Sequence, residues 1–189
     1  MKVLETQIVH PGRFVDKVIV SVENDDGTTT PWEGVYRKGT GLVAGALVEN
    51  IQEGFFLLVE QFRPHFNSRV LEIVAGLVDK GNTPLQTINL ELLEEAGYTA
   101  KNITLILEGP KSAGMTNEYE YYYHVEITGK GGTQDLGKDE KTLEIVKVEN
   151  KLSELLKLTN QKQSQGILVS PEIWNIIGKM TAMGAEFKK

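Results

Sequence analysis

Glu91, Glu94 and Glu95 stand together just before Gly97, in the last turns of a segment whose pattern predicts a helix. Negative charge is favourable near a helix N-terminus and unfavourable near its C-terminus, and Glu91 and Glu95 are like charges four residues apart. A divalent cation held by these carboxylates would offset both effects, which points to oxygen-ligated metal chemistry. The charge pattern alone leaves a solvated acidic turn open, because its cost when exposed is only about a few tenths of a kcal/mol.

The helix is marked at both ends. Thr83 suits the N-cap, Pro84 the first helical position, and Gln86 completes a capping box. Gly97 supplies the stop. At helical spacing Leu85, Ile88, Leu92, Leu93 and Ala96 form an apolar stripe, with Glu91 and Glu95 along one border and Glu94 further round. A loop or strand facing that border would close a metal cage, and Glu94 would support it or bind a second ion.

A chain of 189 residues can bury the core of one catalytic domain plus a small appendage. The formal charge of −6 and the lack of a long Lys/Arg block argue against extended nucleic-acid contact but leave free nucleotides as ligands. Without cysteine there are no disulfides, thiolate metal sites or cysteine nucleophiles, and His10, His65 and His124 lie too far apart in sequence to suggest a histidine metal site. No basic segment with a following apolar run opens the chain, and no window approaches the roughly 18 apolar residues of a membrane span, so a soluble, cytoplasmic protein is expected.

Residues 1–40 read as short strands around the turn Asp25-Asp26-Gly27, a ribbon too small to be stable alone. Residues 38–41 are the expected boundary with the remainder, 41–189. Residues 42–48 and 55–59 make a hairpin, and 70–74 a strand carrying Glu72. The corner Ala75-Gly76 then leads by a tight connection, with carbonyls expected to be exposed, toward the acidic helix. A strand over 103–107 and a Gly-rich loop precede 119–127, where Tyr119, Tyr121, Tyr123, Val125 and Ile127 alternate with Glu120, Tyr122, His124 and Glu126. Those tyrosines can pack in a core or stack on a base; the alternation itself establishes the strand. The polar stretch 128–142 reads as a solvent loop or an active-site flap, and a strand over 143–148 and helices over 151–158 and after Pro171 close the chain. This order predicts a mixed α/β sandwich, while glycine-rich dinucleotide and phosphate-loop motifs are absent.

The segment GLVDKGNTPLQTINLELLEEAGY, residues 76–98, resembles the Nudix hydrolase box in its spacing, through Gly76, Glu91, Leu92, Glu94, Glu95, Gly97 and Tyr98. It departs from that box at Asn82, where glutamate is usual, and at Leu90, where arginine is usual. The flanks, Val59-Glu60-Gln61-Phe62-Arg63 and Leu71-Glu72-Ile73-Val74-Ala75, look like those of ADP-ribose and nucleoside-diphosphate-sugar pyrophosphatases. The resemblance implies an α/β/α sandwich with a mixed sheet and a small N-terminal antiparallel β region that helps form a homodimer. It also implies Mg²⁺ or Mn²⁺ held by Glu91, Glu95 and the Ala75 carbonyl with Glu94 in support, and hydrolysis of a nucleoside diphosphate derivative. Arg63, Glu72 and, from the ribbon, Trp32 are the expected substrate contacts. Glu140 is the first choice for general base, followed by Asp139. Asn82 and Leu90 raise the alternative of an inactive descendant that binds nucleotides or nucleotide sugars without turnover.

Overall fold

Two sheets meet at residues 38–41 in the computed structural model, which describes residues 1–137 and 141–185. The first is antiparallel, in the order β1 (Lys2–Pro11), β2 (Val15–Glu23), β3 (Thr29–Arg37). Its strands are nine or ten residues long, where the sequence pattern predicts short ones. The turn from β2 to β3 uses Gly27 at φ 81 and the Asp26 carboxylate, which accepts from the Thr28 amide and hydroxyl. All ten residues of β1 are exposed, Leu4 and Ile8 among them.

The second sheet is built from β4 (Leu42–Asn50), β5 (Phe55–Arg63), β6 (Ser68–Glu72), β7 (Val74–Leu77), β8 (Tyr98–Pro110), β9 (Tyr119–Lys130), β10 (Glu144–Glu149) and β11 (Leu168–Val169). Its order is β11-β6-β5-β4-β9-β8, with β7 on β4 and β10 on β5. β4 runs parallel to β9 and β11 to β6, while the remaining pairs are antiparallel. The strand expected over 70–74 breaks at Ile73, and the chain changes partner from β5 to β4. That switch brings Glu72 at the end of one strand close to Ala75 and Gly76 on the next.

Strand alternation divides the buried side chains into two cores. Ala44, Ala46, Val48, Phe55, Leu57 and Val59 face helix α1 (Pro84–Ala96) through Ile88, Leu92 and Ala96. Leu47, Phe56 and Leu58 face the opposite side, where α2 (Leu152–Ser164) and α3 (Glu172–Ala182) add Leu155, Ile173, Ile176 and Met180. The result is the expected α/β/α sandwich with a mixed sheet and a small antiparallel β region. An ionic cluster ties one end together, with Glu60 on β5 meeting Arg69 on β6 and Lys162 on α2, each at 2.5 Å.

Helix α1 carries the full capping box between Thr83 and Gln86, and Gly97 ends it at φ 71, donating to the Leu92 and Leu93 carbonyls. Its buried face differs from the expected stripe. Leu85 and Leu93 are exposed, and Thr87 and Glu95 are buried with Ile88, Leu92 and Ala96. Glu95 therefore belongs to the packed face instead of its border. The loop after β9 closes over the helix end: the Gly131 and Gly132 amides donate to the Gly97 carbonyl, the Asp135 amide to that of Glu94, and Gln134 Nε2 to that of Glu95. These bonds satisfy carbonyls that a helix C-terminus leaves open. Asp139 and Glu140 lie outside the described residues.

Candidate active site

A cleft of about 670 Å³ opens where β3, β7, α1 and the start of α3 converge. On one wall Ala75, Gly76, Leu77 and Asp79 run along β7 and its exit, with Glu91 beside them. Glu91 lies directly on Gly76: a Cβ placed there would fall 1.7 Å from Glu91 Oε1. Glycine at this position makes the cradle for that carboxylate, so a strand residue and a helix residue fifteen positions apart share one surface. Glu95, one helical turn on, is 2 % exposed, and Glu94 is exposed. Glu91 and Ala75 thus line the cleft, whereas Glu94 and the buried Glu95 are not among its lining residues.

The donor set fits a hard divalent cation in chemistry, being carboxylate and carbonyl oxygen with no sulfur or imidazole. No group of three or more clustered His, Asp or Glu side chains with the spacing of a metal site is found among the described residues. The cradle at Gly76 is the feature that places the Glu91 carboxylate.

Arg63 and Glu72 also line the cleft and bond to each other, with Arg63 Nε 2.8 Å from Glu72 Oε2. β5 and β6 pair antiparallel with Arg63 opposite Ser68 and Glu72 opposite Val59, so the bond runs lengthwise along the hairpin and does not join register partners. Arg63 stays partly exposed, and its guanidinium is a planar fork suited to anionic oxygens.

The opposite wall comes from residues that sequence reasoning missed. Arg37 at the end of β3 pairs with Glu118, and its backbone is held by Asn117, whose Oδ1 accepts from the Arg37 amide at 2.7 Å. The Val35 amide donates to the Met115 carbonyl, so the small sheet is pinned to the β8–β9 loop. On this wall too, Lys111 Nζ lies 2.6 Å from Glu120 and 3.5 Å from Glu172, and the Tyr122 hydroxyl donates to Glu120. Burial pushes the Lys111 ammonium down, but its bonds and charge contacts with Glu120 and Glu172 outweigh this and hold it above the ordinary lysine value. The Tyr122 phenol is raised, by burial first and then by Glu120, and remains a donor. Only the period-two pattern of β9 carried a signal for this group, since it sets Glu120 and Tyr122 on one face.

Trp32 lies on β3, half exposed, and does not line this cleft. Asn82 and Leu90 are both exposed. Leu90, at the position where the box usually has arginine, thus faces solvent.

Residues 39–167, well over half the chain, match the family model for the NUDIX domain. The chain belongs to the Nudix family. Among Nudix relatives, it is 30% identical over 163 residues to an ADP-ribose pyrophosphatase of Bacillus subtilis (strain 168), covering 86% of this chain and 84% of that one. It is also 30% identical over 140 residues to a GDP-mannose pyrophosphatase of Yersinia pestis (strain Pestoides F), covering 70% and 69%. A crystal structure of an ADP compounds hydrolase superposes with a TM-score of 0.68 at 18% identity over 83% of this chain and 81% of that one, a likeness of fold. Among the described residues of this Nudix chain, no helix is long and apolar enough to cross a membrane.

Proposed function

We propose that this chain is a divalent-metal-dependent hydrolase that cleaves the diphosphate linkage of ADP-ribose or a related nucleoside diphosphate sugar. The observation that carries the reading is the Glu91 carboxylate laid in the Gly76 cradle, in one cleft with Arg63, Glu72 and Ala75. Membership of the Nudix family and the relatives acting on ADP-ribose and GDP-mannose support the same substrate class.

In this reading Glu91, Glu95 and the Ala75 carbonyl hold Mg²⁺ or Mn²⁺, with Glu94 outside them. The bound cation supplies charge neutralisation at phosphate and a lowered pKa for water. Arg63 contacts the phosphate oxygens, and Glu72 fixes the direction of its guanidinium. Arg37, held by Glu118, does the same from the facing wall. Water attacks one phosphorus, a new P–O bond forms, and the bridging oxygen leaves on the other phosphorus, yielding two phosphate monoesters. Glu140, or Asp139 in its place, takes the proton from water; this assignment rests on sequence position alone.

The ribbon of residues 1–40 is proposed to pair with a second copy, because its outer strand β1 exposes Val3, Leu4 and Ile8. Trp32, half exposed on the same sheet, would then reach the nucleoside across the dimer. Sedimentation at micromolar concentration is expected to give a dimer, and a strictly monomeric chain with full substrate affinity would remove the shared pocket.

A panel of nucleotide sugars incubated with Mg²⁺ or Mn²⁺, followed by product separation, tests the activity. Chelator-sensitive release of a nucleoside monophosphate and a sugar phosphate is expected. Nucleotide-dependent thermal stabilisation without any products would instead favour the non-catalytic binding protein suggested by Asn82 and Leu90.

A further inference from the structure

The last turn of α1 is held from outside the helix. The connection after β9 bends back and lays four N–H groups on it. The Gly131 and Gly132 amides donate to the Gly97 carbonyl at 3.0 and 3.1 Å, the Asp135 amide to that of Glu94 at 3.0 Å, and Gln134 Nε2 to that of Glu95 at 2.5 Å. Glycine on both sides of the contact permits the close approach. A Cβ on Gly97 would lie 3.0 Å from the Gly132 carbonyl oxygen, one on Gly132 3.1 Å from Leu93 Cδ1, and one on Gly131 2.3 Å from Thr99 Cγ2. Leu136, just beyond, packs against the core that α1 covers.

This contact meets two physical demands at the helix end. Helix termini fray, and Glu94 and Glu95 lie in the final turn, so fraying would displace them relative to Glu91. The C-terminal carbonyls also carry partial negative charge that disfavours acids beside them, and N–H donors bonded to those carbonyls offset it. Both the placement of the acids and their tolerance at this end therefore depend on a segment that lies 39 residues away in sequence, measured from Glu95 to Gln134.

We propose that residues 131–136 form a clamp that fixes the last turn of α1 for cation binding, with Gln134 as a positioning residue that acts on Glu95 through the main chain. The proposal rests on the reading of Glu91 and Glu95 as metal ligands and adds what holds them in place. Of the four bonds only that of Gln134 comes from a side chain, so it can be removed without altering the backbone. Binding free energies are reciprocal, so a cation held better by the clamped turn must itself stabilise the clamp.

Calorimetric titration of the full chain with Mn²⁺, combined with hydrogen exchange in the presence and absence of Mg²⁺, tests the proposal. Gln134→Met keeps the length of the side chain and removes the donor, and should weaken Mn²⁺ by about fivefold, the equivalent of one hydrogen bond. Gly131→Ala, which forces the connection away from Thr99, should give a loss of similar size. In the unaltered chain Mg²⁺ should slow exchange at the Gly131, Gly132 and Asp135 amides, and Glu95→Gln should abolish that slowing. A clamp that serves stability alone would lower the melting temperature of both variants with Mn²⁺ affinity and Mg²⁺-dependent exchange unchanged, and that result would overturn the proposal. A loss in Gly131→Ala with none in Gln134→Met would overturn the role of Gln134. Normal Mn²⁺ binding in both variants would remove the clamp and leave the metal reading intact, whereas an unaltered chain that binds neither cation would remove both.

Discussion

The two walls of the cleft are assembled in different ways. Ala75, Gly76, Asp79 and Glu91 come from one stretch of chain, a strand, a tight connection and a helix. Arg37, Lys111, Glu118, Glu120 and Glu172 come from β3, the β8–β9 loop, β9 and α3, which meet only after both sheets have formed. On the first wall the close approach of Glu91 to Gly76 shapes the geometry. On the second, ion pairs across elements do so, and each acid there has a basic partner. Local construction sets a carboxylate against a glycine cradle, while distant construction uses ion pairs to hold its elements together.

If the first wall is the reactive one, its substitutions will separate activity from stability. Glu91→Gln should lower kcat/KM by about 100-fold or more, at or beyond the top of the range for outer-sphere partners of a metal, with the melting temperature nearly unchanged. Gly76→Ala should produce a similar loss, because the added methyl group drives the carboxylate out of its cradle. Its stability cost should stay near about 1 kcal/mol, since the displaced group is the far end of a flexible side chain. Glu95→Gln should reduce metal affinity in titration as well as turnover. Wild-type turnover in Gly76→Ala would break the distinction between the walls.

Substitutions on the second wall should show the opposite balance. Glu120→Leu leaves the Tyr122 hydroxyl without its acceptor and Lys111 with Glu172 alone, and should cost about 2 kcal/mol in denaturant unfolding. The raised Lys111 pKa gives this pair a defined pH signature. Its contribution is complete below the ordinary lysine value of 10.5 and is lost as pH rises through the higher folded value. Unfolding curves of the unaltered chain should therefore weaken on the alkaline side, and Glu120→Leu should flatten that limb. An unchanged alkaline limb would show that the pair does not stabilise the wall.

The smallest effects are expected at Asn82 and Leu90. Both are exposed, so Asn82→Glu and Leu90→Arg should each change stability by within about 0.5 kcal/mol. A double-mutant cycle on turnover then reports whether these positions act together on the first wall, and strictly additive effects would show that they do not.

The capping box at Thr83, the stop at Gly97 and the strand of alternating tyrosines were legible because their causes are local: one side chain reaching a nearby amide, one glycine adopting positive φ, one period of two. The burial of Glu95 and Thr87 in place of Leu85 and Leu93 was not legible, since helical periodicity groups residues on a face without saying which arc of that face the sheet will cover. The break at Ile73 likewise depends on two separate strands, β5 and β4, competing for one segment.

By itself the sequence determined the helix with its three glutamates, the tight connection before it and the two-sided pattern of the central strands, because propensity, capping and alternation act over a few residues. Tertiary structure alone decided that Arg37 lines the same cleft as Glu91 and that Lys111 bridges Glu120 and Glu172. Those contacts join residues far apart in the chain, and their geometry follows from strand order and sheet packing, which no local spacing encodes.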